Sequence, residues 1–248
     1  MALDWSGVAL PAGWTLEVVD EIDSTNSELK RREAPVHGSV LLAESQTSGR
    51  GRRGAEWVAT PGESLTFSVA LQPAAPRALW PRLALATGLA VAEALSMLGL
   101  EAEVKWPNDV LIRGRKLCGV LVEATEHMAI VGIGLNVRQA GFGGELDGVA
   151  TSMQLEGRGD VPPEDVLSVV LAELNGWSQR IDSDFTDLIV RLRERCALSG
   201  KTVSLQASDG MHRGRVLRIG DGGELWVDTE AGCQRFLQAD KVRVVGED

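Results

Sequence analysis

The apolar positions of this chain recur first at strand spacing, then at helix spacing, and finally at strand spacing again. Residues 15–19 read as a first strand, 39–44 as a buried one, and 65–71 as a third. Between the first two, residues 20–28 are dense in Asp, Glu, Ser, Thr and Asn. That composition predicts a helix start, with Thr25 and Glu28 at capping-box spacing and Ser24 or Asn26 as alternative caps. The helix itself is short and polar, over residues 27–32, and ends before Pro35. Trp80-Pro81 opens a long helix over 80–98, where Leu79, Leu83, Ala86, Ala90, Ala94 and Met97 fall near one face and Gly99 is the stop.

Short strands follow over 101–105, 108–112, 116–124 and 129–137, the second and third joined by a tight turn at Arg113-Gly114-Arg115. Residues 142–159 are loop-like, and helices are expected over 162–177 and 184–198. The character then changes. Short alternating segments at 202–206, 213–219, 224–229, 234–237 and 241–245, separated by Gly-containing turns, predict a small barrel. The expected architecture is a mixed α/β (α+β) domain over 1–199 followed by the barrel over 200–248.

Composition narrows the function classes. The chain has 248 residues, 44% hydrophobic and 24% charged, which suits a globular protein able to bury about 70–75% of its surface on folding. Its net charge of −10 gives no general attraction for nucleic acid or an anionic membrane. No basic, apolar leader or membrane-length run is visible, and Cys118, Cys196 and Cys233 are odd in number and scattered. A cytoplasmic protein without a disulfide framework or zinc site is expected.

Against that acidic background one stretch stands out. Ser45-Gln46-Thr47-Ser48-Gly49-Arg50-Gly51-Arg52-Arg53-Gly54-Ala55-Glu56-Trp57 combines three glycines with three arginines. Backbone N–H groups and guanidinium forks in such a loop suit an anion, above all phosphate. The stretch spells G-x-G-x-x-G, but Pro61 forbids the helix that a dinucleotide fingerprint requires, and no kinase motifs accompany it. A basic surface loop or an Arg-Gly segment touching RNA is the plainer alternative, and the net charge disfavours RNA. Ser199-Gly200-Lys201-Thr202 imitates the end of a Walker loop but lacks the first glycine and lies between a helix and a strand in the wrong order.

Other residues carry chemistry as well. The helix start at Ser24-Thr25-Asn26 offers N–H groups and small polar side chains, suited to a carboxylate or ureido group or simply to capping. Gln46 ends a strand beside the loop, and Trp57 can pack on what the loop encloses. Asn108 and Asp109, at a strand break, are either turn residues or oxygen donors for a Mg²⁺-bound nucleotide. Gly119, Gly132 and Gly134 are weak strand residues and suggest a slot for a flat apolar ligand.

Taken together, Ser24-Thr25-Asn26, the loop Gln46–Gly54, Lys105-Trp106-Pro107-Asn108-Asp109, the run Lys116–Glu123 and Gly132-Ile133-Gly134-Leu135-Asn136-Val137 resemble the biotin protein ligases, in that family's order and over nearly the whole chain. The resemblance implies a catalytic domain of the class II aminoacyl-tRNA synthetase/biotin synthetase type with a C-terminal SH3-like barrel. It implies ATP and Mg²⁺, biotin as substrate, a biotin carboxyl carrier domain as partner, and a monomer or homodimer. Many relatives carry an N-terminal DNA-binding domain; here the first strand begins near Thr15, so no DNA binding is expected. Ala55 replaces a frequent basic residue and is given no role.

By the same resemblance Ser24, Thr25, Asn26 and Gln46 hold the ureido end of biotin, and Gly119 and Gly132 make room for it. Arg50, Gly51 and Arg52 close over the carboxylate and α-phosphate, with Trp57 beside them. Gly49, Lys105, Asn108, Asp109 and Asn136 serve the nucleotide, Asp109 also Mg²⁺, while Lys116 and Arg52 are the catalytic pair. A lipoate–protein ligase and a non-catalytic biotin-sensing module are the rival readings.

Overall fold

The computed structural model describes residues 4–33 and 35–246. A seven-stranded sheet is formed by β1 (Thr15–Ile22), β2 (Ser39–Gln46), β3 (Ser64–Leu71), β4 (Glu103–Lys105), β5 (Asp109–Ile112), β6 (Arg115–Ala124) and β7 (Ala129–Asn136), in the order β1-β2-β3-β7-β6-β5-β4. Only β1 and β2 run parallel, because the helix α1 (Thr25–Arg31) crosses between them. The other neighbours are antiparallel; β5 and β6 are joined by a turn at Arg113 (φ 50) and Gly114 (φ 77). Two successive positive φ values match the right-handed twist of the flanking strands.

Period-two alternation assigns the two faces of this sheet. Leu65, Phe67 and Val69 of β3, Val131, Ile133 and Leu135 of β7, and Cys118 and Val120 of β6 enter the main core with the helix α2 (Arg82–Met97), which the helices α3 (Pro163–Ser178) and α4 (Phe185–Glu194) pack against. The intervening residues face α1, where Leu29, Leu41, Ala70, Met128 and Ile130 make a smaller core. Glycines and polar residues replace the apolar ones farther along this second face, and the cavity described below sits there.

Several boundaries differ from the sequence reading. The strand β1 continues through Ile22, since pairing with β2 holds residues that locally resemble a helix start. Ser24, not Thr25, caps α1: its Oγ accepts from the Ser27 N–H at 3.4 Å. Trp80-Pro81 precedes α2, and Met97 is exposed. The helix α4 stops at Glu194 because the chain then runs beside β4, with Val104 N–H donating to Arg195 O at 2.7 Å and Ala197 N–H to Val104 O at 2.9 Å. That pairing spans the chain, and local spacing cannot show it.

The C-terminal strands β8 (Thr202–Ala207), β9 (Gly210–Ile219), β10 (Leu225–Thr229), β11 (Gly232–Phe236) and β12 (Asp240–Val244) form an antiparallel sheet in the order β11-β10-β9-β8-β12. Its buried residues, among them Val203, Leu205, Val227 and Val242, are continuous with the main core. Trp106 Nε1 donates to Gly223 O at 2.9 Å, and a side chain at Gly223 (φ 91) would strike Leu85 and Phe185. Tight packing at this contact fixes the five-stranded sheet beside the mouth of the cavity. No described helix is long and apolar enough to cross a membrane.

Candidate active site

A cavity of about 680 Å³ opens between the N-terminus of α1, the glycine-arginine loop, the β5–β6 hairpin and the start of β12. It has a polar, uncharged end under α1 and a cationic end under the loop.

The polar end is a hydrogen-bonded chain. Ser24, Thr25, Asn26 and Ser68 are all buried. Asn26 Oδ1 accepts from Ser68 Oγ at 2.6 Å, Ser68 Oγ lies 2.7 Å from Thr25 Oγ1, and Gln46 Oε1 accepts from Thr25 N–H at 2.8 Å. The glycine at 132 makes this possible: a Cβ there would fall on the Asn26 amide. Buried polar atoms that are satisfied but keep a free lone pair or N–H facing a cavity are suited to a small polar ligand group.

The cationic end gathers Arg50, Arg52, Lys105 and Lys116, and each has a counter-charge or amide close by. Arg50 Nη1 is 2.9 Å from Glu123 Oε2. Arg52 Nη1 donates to Asn108 Oδ1 at 3.1 Å, and its Nη2 lies 3.3 Å from Asp240 Oδ1. Arg53 Nη1 reaches Asp240 Oδ2 at 2.5 Å, a charge contact rather than an aligned hydrogen bond. Lys116 Nζ is 2.7 Å from Asp109 Oδ1. Burial lowers the pKa of Lys105 from the ordinary lysine value; Asp109 opposes this, and the cations Lys116 and Arg243 add to it. Burial also pushes the Cys118 thiol far up, so it is no nucleophile.

The loop is a closed hairpin. Trp57 N–H donates to Gly49 O at 3.0 Å and Gly51 N–H to Ala55 O at 2.7 Å, with Arg53 (φ 49) and Gly54 (φ 77) turning the tip. A Cβ on Gly49 would collide with Trp57 O. The same hairpin lays the Trp57 indole on the sheet: a Cβ at Gly134 would strike its ring, and one at Gly119 would sit 3.1 Å from it and from Lys116 Nζ. The glycine slot expected for a flat ligand thus receives this side chain and, at Gly132, the Asn26 amide.

Of the residues singled out from sequence, Ser24, Thr25, Asn26 and Gln46 line the polar end of the cavity. Arg50, Gly51, Arg52, Trp57, Lys105, Asn108, Asp109 and Lys116 surround the cationic end, and Gly119 and Gly132 form the floor. Gly49 and Asn136 lie outside the lining. Gly49 closes the loop hairpin, and Asn136 donates from Nδ2 to Thr151 O at 3.0 Å and accepts from Gln139 at 3.2 Å.

Sequence reasoning gave no role to Ser68, Glu123, Asp240 or Arg243. Thr66 and Ser68 were detectable, being polar at alternate positions of an otherwise apolar strand. Asp240 and Arg243 had no such signal, since only the packing of the C-terminal sheet brings them here.

No cluster of three or more His, Cys, Asp or Glu with metal-binding geometry occurs among the described residues. A lone carboxylate at Asp109 beside the Asn108 amide is consistent with Mg²⁺, which takes one or two protein oxygens and completes its shell with phosphate and water.

Residues 18–136 match the family model described as the biotin/lipoate A/B protein ligase family. The chain is 36% identical over 227 residues to the biotin–[acetyl-CoA-carboxylase] ligase of Mycobacterium tuberculosis, covering 88% of this chain and 85% of that protein. The Paracoccus denitrificans ligase of the same name is 31% identical over 225 residues, covering 86% and 93%. The solved structure of the Aquifex aeolicus biotin protein ligase in complex with biotin and ATP superposes with a TM-score of 0.84 at 31% identity, covering 93% of this chain and 99% of that one.

Proposed function

The chain belongs to the biotin/lipoate A/B protein ligase family, and from that premise we propose how its cavity divides the work. The protein is an ATP-dependent biotin protein ligase. In the first step the biotin carboxylate attacks the α-phosphate of ATP, forming biotinyl-5′-AMP and releasing pyrophosphate. In the second a lysine amine of a biotin carboxyl carrier domain attacks the acyl carbon and AMP leaves.

The observation carrying this assignment is the adjacency of the two ends of the cavity. A neutral hydrogen-bonding end at Ser24, Thr25, Asn26 and Gln46 suits the ureido group, and Arg50, Arg52 and Lys116 in the same cavity suit its carboxylate. Bringing a carboxylate to a phosphate opposes two negative charges, so preorganised cations are what the transition state most needs. Lys116 donates to the α-phosphate oxygens in both steps, and Arg52 bridges carboxylate and phosphate. Lys105 and Asn108 face the nucleotide. Asp109 would hold Mg²⁺, which neutralises phosphate charge when bound. Gly49 and Asn136 contribute by shaping the loop and the 151 region rather than by contact.

The polar end also separates biotin from lipoate. A dithiolane ring has no groups to answer the buried chain of Thr25, Asn26, Ser68 and Gln46, and a site built around hydrogen bonds rejects an analogue lacking them by about 10⁴–10⁵. Mere sensing of biotin would not require Lys116 and Arg52 at the other end. We place the reaction in the cytoplasm, in a monomer or homodimer. The test is transfer of labelled biotin to a purified carrier domain with ATP, with and without Mg²⁺, and with lipoate as competitor. Efficient transfer that lipoate does not suppress is the expected result; equal use of lipoate, or no pyrophosphate release, overturns the assignment.

A further inference from the structure

One charged side chain just outside the cavity lining, beside its polar end, takes no part in the chemistry above. Glu123 stands on β6 on the sheet face that carries Gly119 and Leu121, and its side chain is 18% exposed. Three donors from two segments, α1 and the glycine-arginine loop, converge on its carboxylate. Lys30 Nζ reaches Oε1 at 2.7 Å, while Asn26 Nδ2 at 3.1 Å and Arg50 Nη1 at 2.9 Å share Oε2.

We infer that Glu123 is a positioning residue that fixes the direction of the hydrogen bonds linking Asn26, Ser68 and Thr25 in the vitamin-recognition chain. The inference rests on the placement of biotin's ureido group against Thr25, Asn26 and Gln46.

An ionised carboxylate only accepts. Asn26 therefore turns its NH₂ to Glu123 at 3.1 Å, with the Leu121 carbonyl a longer second acceptor at 3.4 Å, and its Oδ1 to Ser68. Ser68 has a single hydroxyl proton, and Asn26 Oδ1 at 2.6 Å takes it. The 2.7 Å contact between Ser68 and Thr25 must then use the proton of Thr25. Gln46 Oε1 accepts from the Thr25 backbone N–H at 2.8 Å independently of this relay and lies 3.2 Å from Thr25 Oγ1, which turns the Gln46 NH₂ outward as a donor. Three side chains, Asn26, Ser68 and Thr25, thus take their donor and acceptor roles from one acceptor-only end.

Packing alone could not choose this arrangement, because the oxygen and nitrogen of an amide have nearly the same shape. With Asn26 turned over, its NH₂ would lie where Oδ1 now lies, and the roles of Ser68 and Thr25 would reverse. A ureido group presents two N–H donors and one carbonyl acceptor in fixed positions, so a reversed chain would oppose donor to donor. Ligand groups facing mismatched buried partners lose affinity steeply.

Steady-state kinetics on Glu123→Met, Glu123→Gln and Asn26→Ala test this. Methionine keeps the length and removes the acceptor; glutamine loses the charge but keeps a carbonyl that can still accept from Asn26. We expect KM for biotin to rise at least tenfold in Glu123→Met with a far smaller change in kcat at saturating biotin, and Glu123→Gln to recover most of that loss. Wild-type KM in Glu123→Met with an impaired Asn26→Ala overturns the inference and leaves the ureido placement standing. Equal impairment of the Met and Gln variants also overturns it, since charge rather than acceptor direction would then be responsible. Wild-type KM in Asn26→Ala removes the placement and the inference together.

Discussion

A methyl group on Gly132 would land on the amide of Asn26. The two residues come from β7 and α1, and the absence of one side chain is what lets the other lie flat on the sheet. Gly132→Ala is therefore expected to push Asn26 out of its chain with Ser68 and raise KM for biotin tenfold or more. Biotin titration checks this; wild-type affinity would mean that α1 shifts without cost.

Lys116 Nζ lies 2.7 Å from Asp109 Oδ1, so its charge is held at the cavity and not spent in solvent. Losing one preorganised donor to a developing charge costs about 10²–10³ in rate, ~2.7–4 kcal/mol. Lys116→Ala and Arg52→Ala are each expected to lose kcat of that order in adenylation, read as pyrophosphate release at saturating biotin and ATP. Lys116→Ala should also slow transfer from preformed biotinyl-5′-AMP. Wild-type turnover in both variants would remove the assignment.

The glycine-arginine loop is held to the C-terminal sheet by Asp240, which meets Arg52 at 3.3 Å and Arg53 at 2.5 Å. Asp240→Ala leaves two guanidiniums without this anion. Trypsin cleavage at Arg50–Arg53 is expected to accelerate several-fold in the variant, and biotinyl-5′-AMP is expected to slow cleavage in both proteins by giving the arginines a new anion. An unchanged cleavage rate would show that the hairpin bonds of the loop hold it alone.

Acid should loosen α1. Asp23 accepts from Arg31 at 2.6 and 2.8 Å and from the Ser24 N–H at 2.7 Å, and these bonds, the Arg31 pair foremost, hold its pKa at about 2 against an ordinary 3.8. A lowered carboxylate pKa adds stability that is complete above the unfolded value and disappears as pH falls through the folded one. The difference in Tm between wild type and Asp23→Asn should be constant near neutral pH and shrink between pH 3.8 and about 2. Because Asp23 is solvent-exposed, the difference is expected to be small. A difference that grows on acidification would contradict this.

Element types were legible where periodicity was strong. The strands from β2 to β7 and the helices α2 and α3 follow from apolar spacing, and Gly99 (φ 81) and Arg113-Gly114 stop or turn the chain as their residue types require. The misplacements share a cause. The end of β1 and the end of α4 are set by pairing with β2 and β4, contacts between distant segments that outweigh local propensity. At the three strand glycines, spacing could not show what approaches the sheet: the Trp57 ring lies against Gly119 and Gly134 and the Asn26 amide against Gly132.

By itself the sequence determined the chemistry available: a basic glycine loop on an acidic chain, a polar helix start, and a Lys-Trp-Pro-Asn-Asp turn, because these depend on residue type and local backbone freedom. Only the tertiary structure decided which charges meet. Glu123 joins Asn26 to Arg50 across separations of 97 and 73 residues, and Asp240 of the C-terminal sheet joins Arg52 to Arg53 of the loop. Hydrogen bonds and ion pairs act over a few ångströms, and which groups come that close is settled by sheet order and core packing, not by spacing along the chain.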